Sequence, residues 1–287
     1  MTEEGLLERA LGGPVSVASP GIYTMSNSDY HSSPGISRSG LWTIWNQTPA
    51  HFKYGEPKQS REFDVGTAVH DAILDPNQFD LTAVRGPVDR RGKKWEEAVT
   101  EAGKIGQTVL TASDYDTVLA MRDAVLANSV IADLVHDGLI EQAAFCEKDG
   151  TLVKCKPDLY SPEHKTILDL KTSRDGRPHA FARDCAMYGY SVQESFYTDV
   201  WQLAGGGPVE AFCFAVIEKE PPYAVALYEL DANAVDEGRA VCERALALYA
   251  ECTRTGVWPG YPATVQTLSL PRWSFKLTQP LDEEAEL

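Results

Sequence analysis

The chain lacks paired cysteines. Its six, Cys146, Cys155, Cys185, Cys213, Cys242 and Cys252, stand singly, with no C-x-x-C among them. That spacing excludes a zinc ribbon, a dense disulfide framework and a four-thiolate iron–sulfur cluster, and fits free thiols in a reducing cytoplasm. No apolar run reaches membrane-spanning length, so no membrane association is expected. The opening MTEEGLLERA has no basic region ahead of an apolar stretch and does not read as a secretory signal. A phosphate-binding P-loop is also missing. Five residues separate Gly86 from Gly92, and Lys94 follows Lys93 where Ser or Thr is required, so no use of ATP is expected.

Positive charge is scarce: 26 Lys and Arg stand against 42 Asp and Glu, a net of −16 over 287 residues. Bulk charge of that sign repels phosphate, but the distribution is uneven. Residues 21–94 net +1 and residues 95–287 net −15. A basic cluster, Arg85, Arg90, Arg91, Lys93 and Lys94, lies in a segment expected to be a loop. By itself such a cluster reads more readily as a solvated charged loop than as a DNA-binding one.

What is present is a 43% hydrophobic chain, enough for a substantial core. Residues 1–21, with Gly12-Gly13-Pro14 and Ser19-Pro20-Gly21, are expected to be a mobile lead-in. Residues 22–130 should form a helical part. Helices are expected over Ser37–Trp45 with Ser37 as N-cap, Phe63–Leu74, Lys94–Ala102 and Asp114–Ala127. Residues 131–255 should form the core. Gln142–Cys146 and Leu152–Leu159 read as a hairpin about Asp149-Gly150, followed by the strand Thr166–Lys171. A helix over Ser191–Ala204, strands over Val209–Ile217 and Tyr223–Leu230 and a helix over Asp231–Cys252 complete the pattern; residues 256–287 are expected as a tail. The order defines an α/β fold, a central mixed β-sheet flanked by helices, with residues 22–255 integrated as one unit.

The chemistry concentrates in CKPDLYSPEHKTILDLKT, residues 155–172. Side chains alternate along a strand, so Asp169 and Lys171 share one face while Leu168 and Leu170 turn into the core. Asp158 closes the preceding strand. Two carboxylates facing across a hairpin suit a hard divalent cation, with the Leu170 carbonyl as a further oxygen donor. A cation there activates water and offsets charge at phosphorus, and a lysine orients the water or shares that charge.

Pro157-Asp158 followed by Asp169-x-Lys171 resembles the PD-(D/E)XK nuclease superfamily, with its restriction-endonuclease-like core. Gln193-Glu-Ser-Phe-Tyr197 on the next helix resembles the Q-x-x-x-Y motif of its RecB-like and lambda-exonuclease-like branch. Upstream, Tyr30-His31-Ser32-Ser33-Pro34-Gly35-Ile36-Ser37-Arg38-Ser39 and Gly66-Thr67-Ala68-Val69-His70 resemble the RecE-type exonucleases of phage and prophage recombination.

The resemblance implies a Mg²⁺-dependent enzyme, with Mn²⁺ as a substitute. It implies Asp158, Asp169, Lys171, Gln193 and Tyr197 in catalysis, and His70, Glu141, Asp158, Asp169 and Leu170 around the metal. It further implies that Ser37, Arg38 and Ser39 take a 5′ phosphate and that the basic cluster holds DNA. The expected activity is 5′→3′ degradation of linear duplex DNA, leaving 3′ overhangs for recombination. The expected setting is the cytoplasm of a bacterial host, with a ring of three or four subunits and a single-strand annealing protein as a further partner. Another cleavage mode, or a non-catalytic DNA- or protein-binding module on the same fold, stays open at this point.

Overall fold

The computed structural model describes residues 19–56, residues 61–271 and Ser274. The expected lead-in up to residue 18, and the acidic end of the expected tail, lie outside the described residues.

The N-terminal part carries β1 (Gly21–Tyr23), α1 (Asn27–Ser32), β2 (Ile36–Ser37), α2 (Arg38–Asn46), α3 (Pro49–Tyr54), α4 (Arg61–Leu74) and α5 (Pro76–Thr82). Next come β3 (Ala83–Arg85), α6 (Lys93–Lys104), β4 (Thr108–Leu110), α7 (Ala112–Leu126) and α8 (Ser129–His136). The strands β5 (Leu139–Ile140), β6 (Ala143–Lys148), β7 (Thr151–Cys155), β8 (Leu159–Ser161) and β9 (Thr166–Ser173) lead to α9 (Pro178–Tyr188) and α10 (Tyr190–Leu203). The described fold closes with β10 (Ala211–Glu218), β11 (Val225–Tyr228) and α11 (Ala232–Thr255).

Local chemistry sets many of these boundaries. Side-chain oxygens of Ser26, Thr48, Asp75, Thr111 and Asp231 each accept an amide N–H of the first turn of the helix that follows. Proline opens α3, α5 and α9, where its missing N–H costs nothing. Ser37 does hold the N-cap position of α2, but its hydroxyl lies 3.0 Å from that of Ser39 instead of capping an amide. Asp149 and Gly150, both with positive φ, turn β6 into β7 in register Lys148↔Thr151.

The strands divide into separate mixed sheets. One runs β11-β10-β9-β8-β5, with β9 and β10 parallel and the other pairs antiparallel; the second runs β1-β6-β7-β2; β3 and β4 form a small pair. Leu152–Leu159, expected as one strand, is therefore two. Lys156-Pro157-Asp158 passes from one sheet to the other, and Pro157 has no N–H with which to extend the ladder. The basic segment also differs from its expectation as a loop. Arg85 belongs to β3, and Lys93 and Lys94 begin α6, which leaves only residues 86–92 as a connection.

Alternation along β9 sorts the two cores. Leu168 and Leu170 pack with Val69, Ile73, Val118 and Met121 of α4 and α7. Ile167, on the opposite face, packs with Phe196, Trp201, Phe214 and Ala245 of α10, β10 and α11. The helix α10 also packs on β6 and β7, so it spans both larger sheets at the point where the chain crosses between them. Beyond α11, the Pro259 carbonyl accepts the Ala50 amide, and Trp258 packs against Phe52 and Tyr249.

Candidate active site

The crossing between the sheets gathers the residues singled out by pattern. Asp158 sits in the connector after Pro157, and its Oδ2 accepts the amide of Leu170 at 2.7 Å from the neighbouring strand. His70, on α4, brings Nδ1 to 3.4 Å from the same oxygen. Asp169 is 1% exposed. Gln193 of α10 donates from Nε2 to its Oδ1, and Lys171, two residues along β9, donates from Nζ to its Oδ2. The Lys171 ammonium lies 4.7 Å from the Tyr190 ring centre, over its face.

These environments separate the two carboxyls. Burial opposes the charged form of Asp158, but His70, Lys171 and the Leu170 amide together hold its pKa below the usual carboxylate range. At Asp169 burial wins: despite Lys171 its pKa is raised, and the Asp158 charge adds to the rise. Burial also opposes the charged imidazole of His70, yet Asp158 holds its pKa above the ordinary histidine value. Burial, then Asp169, pushes the Tyr197 hydroxyl far above the phenol range, so it stays protonated.

The two carboxylates, Asp158 and Asp169, are the oxygen donors here that suit a hard divalent cation. Oδ1 of Asp158 accepts no hydrogen bond from the described residues, which leaves it free to ligate. Among the described residues no three His, Cys, Asp or Glu side chains are gathered closely enough to hold a metal by themselves. Main-chain carbonyl and water would have to supply the remaining ligands, as is usual for Mg²⁺. Glu141 is not part of the carboxylate pair. It sits between β5 and β6 with φ 45°, and Lys156 holds its Oε2 at 2.5 Å.

Three clefts join around this centre. A cleft of about 300 Å³ carries Ser37, Arg38, Ser39, Gln193 and Tyr197. A second, of about 620 Å³, carries Leu170, Thr172, Gly66 and Lys219. A third, also about 620 Å³, extends past α5 and β4 to Gln78 and Thr108. Lys171, Tyr190 and His31 line both the first and the second; His70, Asp71 and Glu141 line both the second and the third. The result is a run of adjoining clefts; Asp158 and Asp169 line none of the three, but Lys171, Leu170 and His70, which contact them, do.

Arg38 does line the first cleft, but its guanidinium is largely committed. Nη2 donates to the carbonyls of Tyr188 at 2.5 Å and Gly189 at 2.7 Å, across the turn between α9 and α10. Gly189 has φ 65°, and a Cβ there would lie 2.6 Å from Trp42, so only glycine fits this turn. The buried Nε of Arg38 has no partner among the described residues.

The basic cluster is elsewhere. Arg85, Arg90, Arg91, Lys93 and Lys94 line none of the three clefts. Arg85 forms a two-pronged ion pair with Asp116 at 3.0 and 2.8 Å; Arg90 reaches Asp114 at 3.4 Å and stacks over Trp95; Lys93 faces Glu97 at 3.5 Å.

Motif reasoning did not assign Tyr190, His31 or Lys156. Tyr190 lies three residues before Gln193, one helical turn away, which was a readable signal. His31 lay within the quoted YHSSPGIS stretch. Nothing local marked Lys156, whose partners Glu141 and Asn27 are distant in sequence.

The chain matches the model of a family described as a PDDEXK-like domain of unknown function (DUF3799) over residues 46–270, and it belongs to that family. Its fold is similar to that of a proposed exonuclease from Eubacterium rectale, with a TM-score of 0.60 at 14% identity over 90% of this chain and 100% of that one. A phage-related exonuclease from Haemophilus somnus 129PT aligns with a TM-score of 0.36 at 14% identity, over 78% and 97% of the two chains. No curated protein matches the chain. The family and the fold bear out the superfamily resemblance read from residues 155–197.

Proposed function

We propose that the protein is a metal-dependent exodeoxyribonuclease that degrades the 5′ strand of linear duplex DNA and leaves a 3′ overhang. The observation that carries this reading is the convergence of Asp158, Asp169, Lys171 and Gln193 through hydrogen bonds, with Lys171 and Gln193 lining the adjoining clefts. A bound Mg²⁺ or Mn²⁺ would activate water and offset charge developing on the phosphate.

The chain's own residues do the rest. Asp158, in the connector before β8, and Asp169, on β9, would hold the cation, and His70 fixes the Asp158 carboxylate. Gln193 orients Asp169 by donating to the oxygen that Lys171 does not use. Lys171, which donates to Asp169, would share its ammonium with the attacking water or a phosphate oxygen. In the first cleft the free Nε of Arg38 and the hydroxyls of Ser37 and Ser39 suit a 5′ phosphate. The metal requirement, the polarity, the overhang and the 5′-phosphate pocket rest on this chemistry and on the RecE-type resemblance.

The same reading includes a cyclic homo-oligomer of three or four subunits that threads its substrate, because a chain of net charge −16 holds DNA weakly by charge alone. An annealing protein would then receive the exposed 3′ strand in the bacterial cytoplasm. No described helix is long and apolar enough to cross a membrane.

End-labelled linear duplex and closed circular duplex, each with Mg²⁺ and with EDTA, provide the test. Release of nucleotides from linear 5′ ends only, abolished by EDTA, is the expected result. Nicking of circles would select an endonuclease, and binding without cleavage would select a non-catalytic module. Light scattering reads the subunit number, and a monomer would remove the ring.

A further inference from the structure

His31 stands where two of the clefts meet. Among the described residues, His31, Lys171 and Tyr190 are the ones that line both the cleft with Arg38 and the cleft with Leu170, so a strand passing from one to the other would meet all three. His31 lies near the end of α1, a six-residue helix that could not hold a position unaided.

The anchor is Lys154 of β7, a lysine only 5% exposed. Its ammonium donates to the main-chain carbonyls of Tyr30 at 2.7 Å, Ser33 at 2.6 Å and His31 itself at 3.4 Å. It also lies 4.9 Å from the Tyr30 ring centre, over the ring face. Burying an ammonium is costly unless its hydrogen bonds are satisfied, and here they are satisfied by the last carbonyls of α1. The chain thus spends a buried charge on fixing the segment that presents His31. Partial burial, then Lys154 and Lys156, keeps the His31 pKa below the ordinary value, so the ring is neutral at pH 7 and still has one N–H to donate.

We infer that His31 is a substrate-binding residue that donates a hydrogen bond to a phosphodiester oxygen of the single strand threaded between the two clefts. Lys154 is its positioning residue. The inference rests on the proposed function, since it takes the adjoining clefts to be a path for DNA.

The experiment measures binding and cleavage separately. Affinity of a short 5′-phosphorylated single strand is read by fluorescence anisotropy in EDTA, and single-turnover cleavage of duplex ends is read with Mg²⁺. His31→Ala should weaken binding about tenfold or more, the usual effect of losing a hydrogen bond to a charged acceptor. His31→Gln, which keeps a donor, should recover part of the loss. His31 is exposed, so its melting temperature should match that of the wild type.

Neutral methylphosphonate linkages, placed one at a time near the 5′ end, supply the decisive comparison. One linkage should cost the wild type as much affinity as His31→Ala costs, and the two losses should not add. Losses that add at every linkage, or wild-type affinity in His31→Ala, would overturn the inference. A wild-type protein that neither binds nor cuts DNA would instead overturn the proposed function on which it rests.

Discussion

Two charged regions of this chain are put to different uses. Around residues 155–197 the charges are buried and spent on one another across long sequence distances: Asp158 on Leu170 and His70, Asp169 on Lys171 and Gln193. Between residues 85 and 94 most of the charges are exposed and several are answered by nearby acids, with Arg85 on Asp116 and Lys93 on Glu97. In the first region each group constrains its neighbour in a low-dielectric setting, where the loss of one partner strands the other. In the second, solvent screens the Arg85–Asp116 and Lys93–Glu97 pairs and each is worth little, while Arg90 with the buried Asp114 is better shielded. A cluster of like charge in a sequence is therefore weak information, whereas charges forced into a core by strand alternation are strong information.

The largest test of that contrast lies at the carboxylate pair. Asp158→Ala, Asp169→Ala and Lys171→Ala should each reduce Mg²⁺-dependent cleavage about 10²-fold or more. The folded state should persist, checked by circular dichroism beside the rate. Full activity in Lys171→Ala would place the chemistry elsewhere.

Glu194 offers a stability test within the same buried region. Burial, and next the Glu229 charge, push its pKa up to about 8, and its Oε2 has no protein partner. A carboxyl with a raised folded pKa favours folding while it is protonated in both states, below about pH 4.5. That contribution is lost as pH climbs through the folded value near 8. Glu194→Gln should therefore match the wild type near pH 5 and exceed its stability by roughly 1–3 kcal/mol at pH 9. Denaturant melts at the two pH values measure this. A difference that does not grow with pH would mean that the carboxyl ionises freely.

Gln193→Ala should lower the cleavage rate about tenfold, since it removes one hydrogen bond to a charged carboxylate without removing a ligand. Apparent substrate affinity should hold. A fall in affinity with an unchanged rate would move Gln193 from orienting Asp169 to contacting DNA.

The smallest effects are expected in the basic segment. Replacing Arg91 and Lys94, both exposed, with alanine should weaken DNA binding a few-fold at low salt and flatten its salt dependence. Arg85→Ala should leave affinity unchanged, because Asp116 already holds its guanidinium. If Arg85→Ala weakened binding as much as the pair, local ion pairing would not silence a basic cluster, and the contrast between the two regions would fail.

Much of the candidate site was legible because it follows from short-range rules. The two-residue period of β9 places Asp169 beside Lys171 and turns Leu168 and Leu170 the other way. A four-residue helical step puts Gln193 and Tyr197 on one cleft. The Asp149-Gly150 turn fixes the hairpin. The family-level resemblance needed no more than these spacings.

Other features depended on partners far along the chain. Pro157 told where the ladder must break, but not that β6 and β7 would leave for a second sheet with β1 and β2. Ser37, Arg38 and Ser39 were rightly placed on a helix start, yet only the packed molecule shows Arg38 tied to the carbonyls of Tyr188 and Gly189. Nothing near residue 154 announces that its ammonium will clamp α1, and nothing near residue 31 announces a histidine where two clefts meet. Local sequence determined which side chains share a face, because backbone geometry repeats every two or 3.6 residues. Tertiary structure decided which faces meet, because burying apolar surface selects among pairings that no local rule distinguishes.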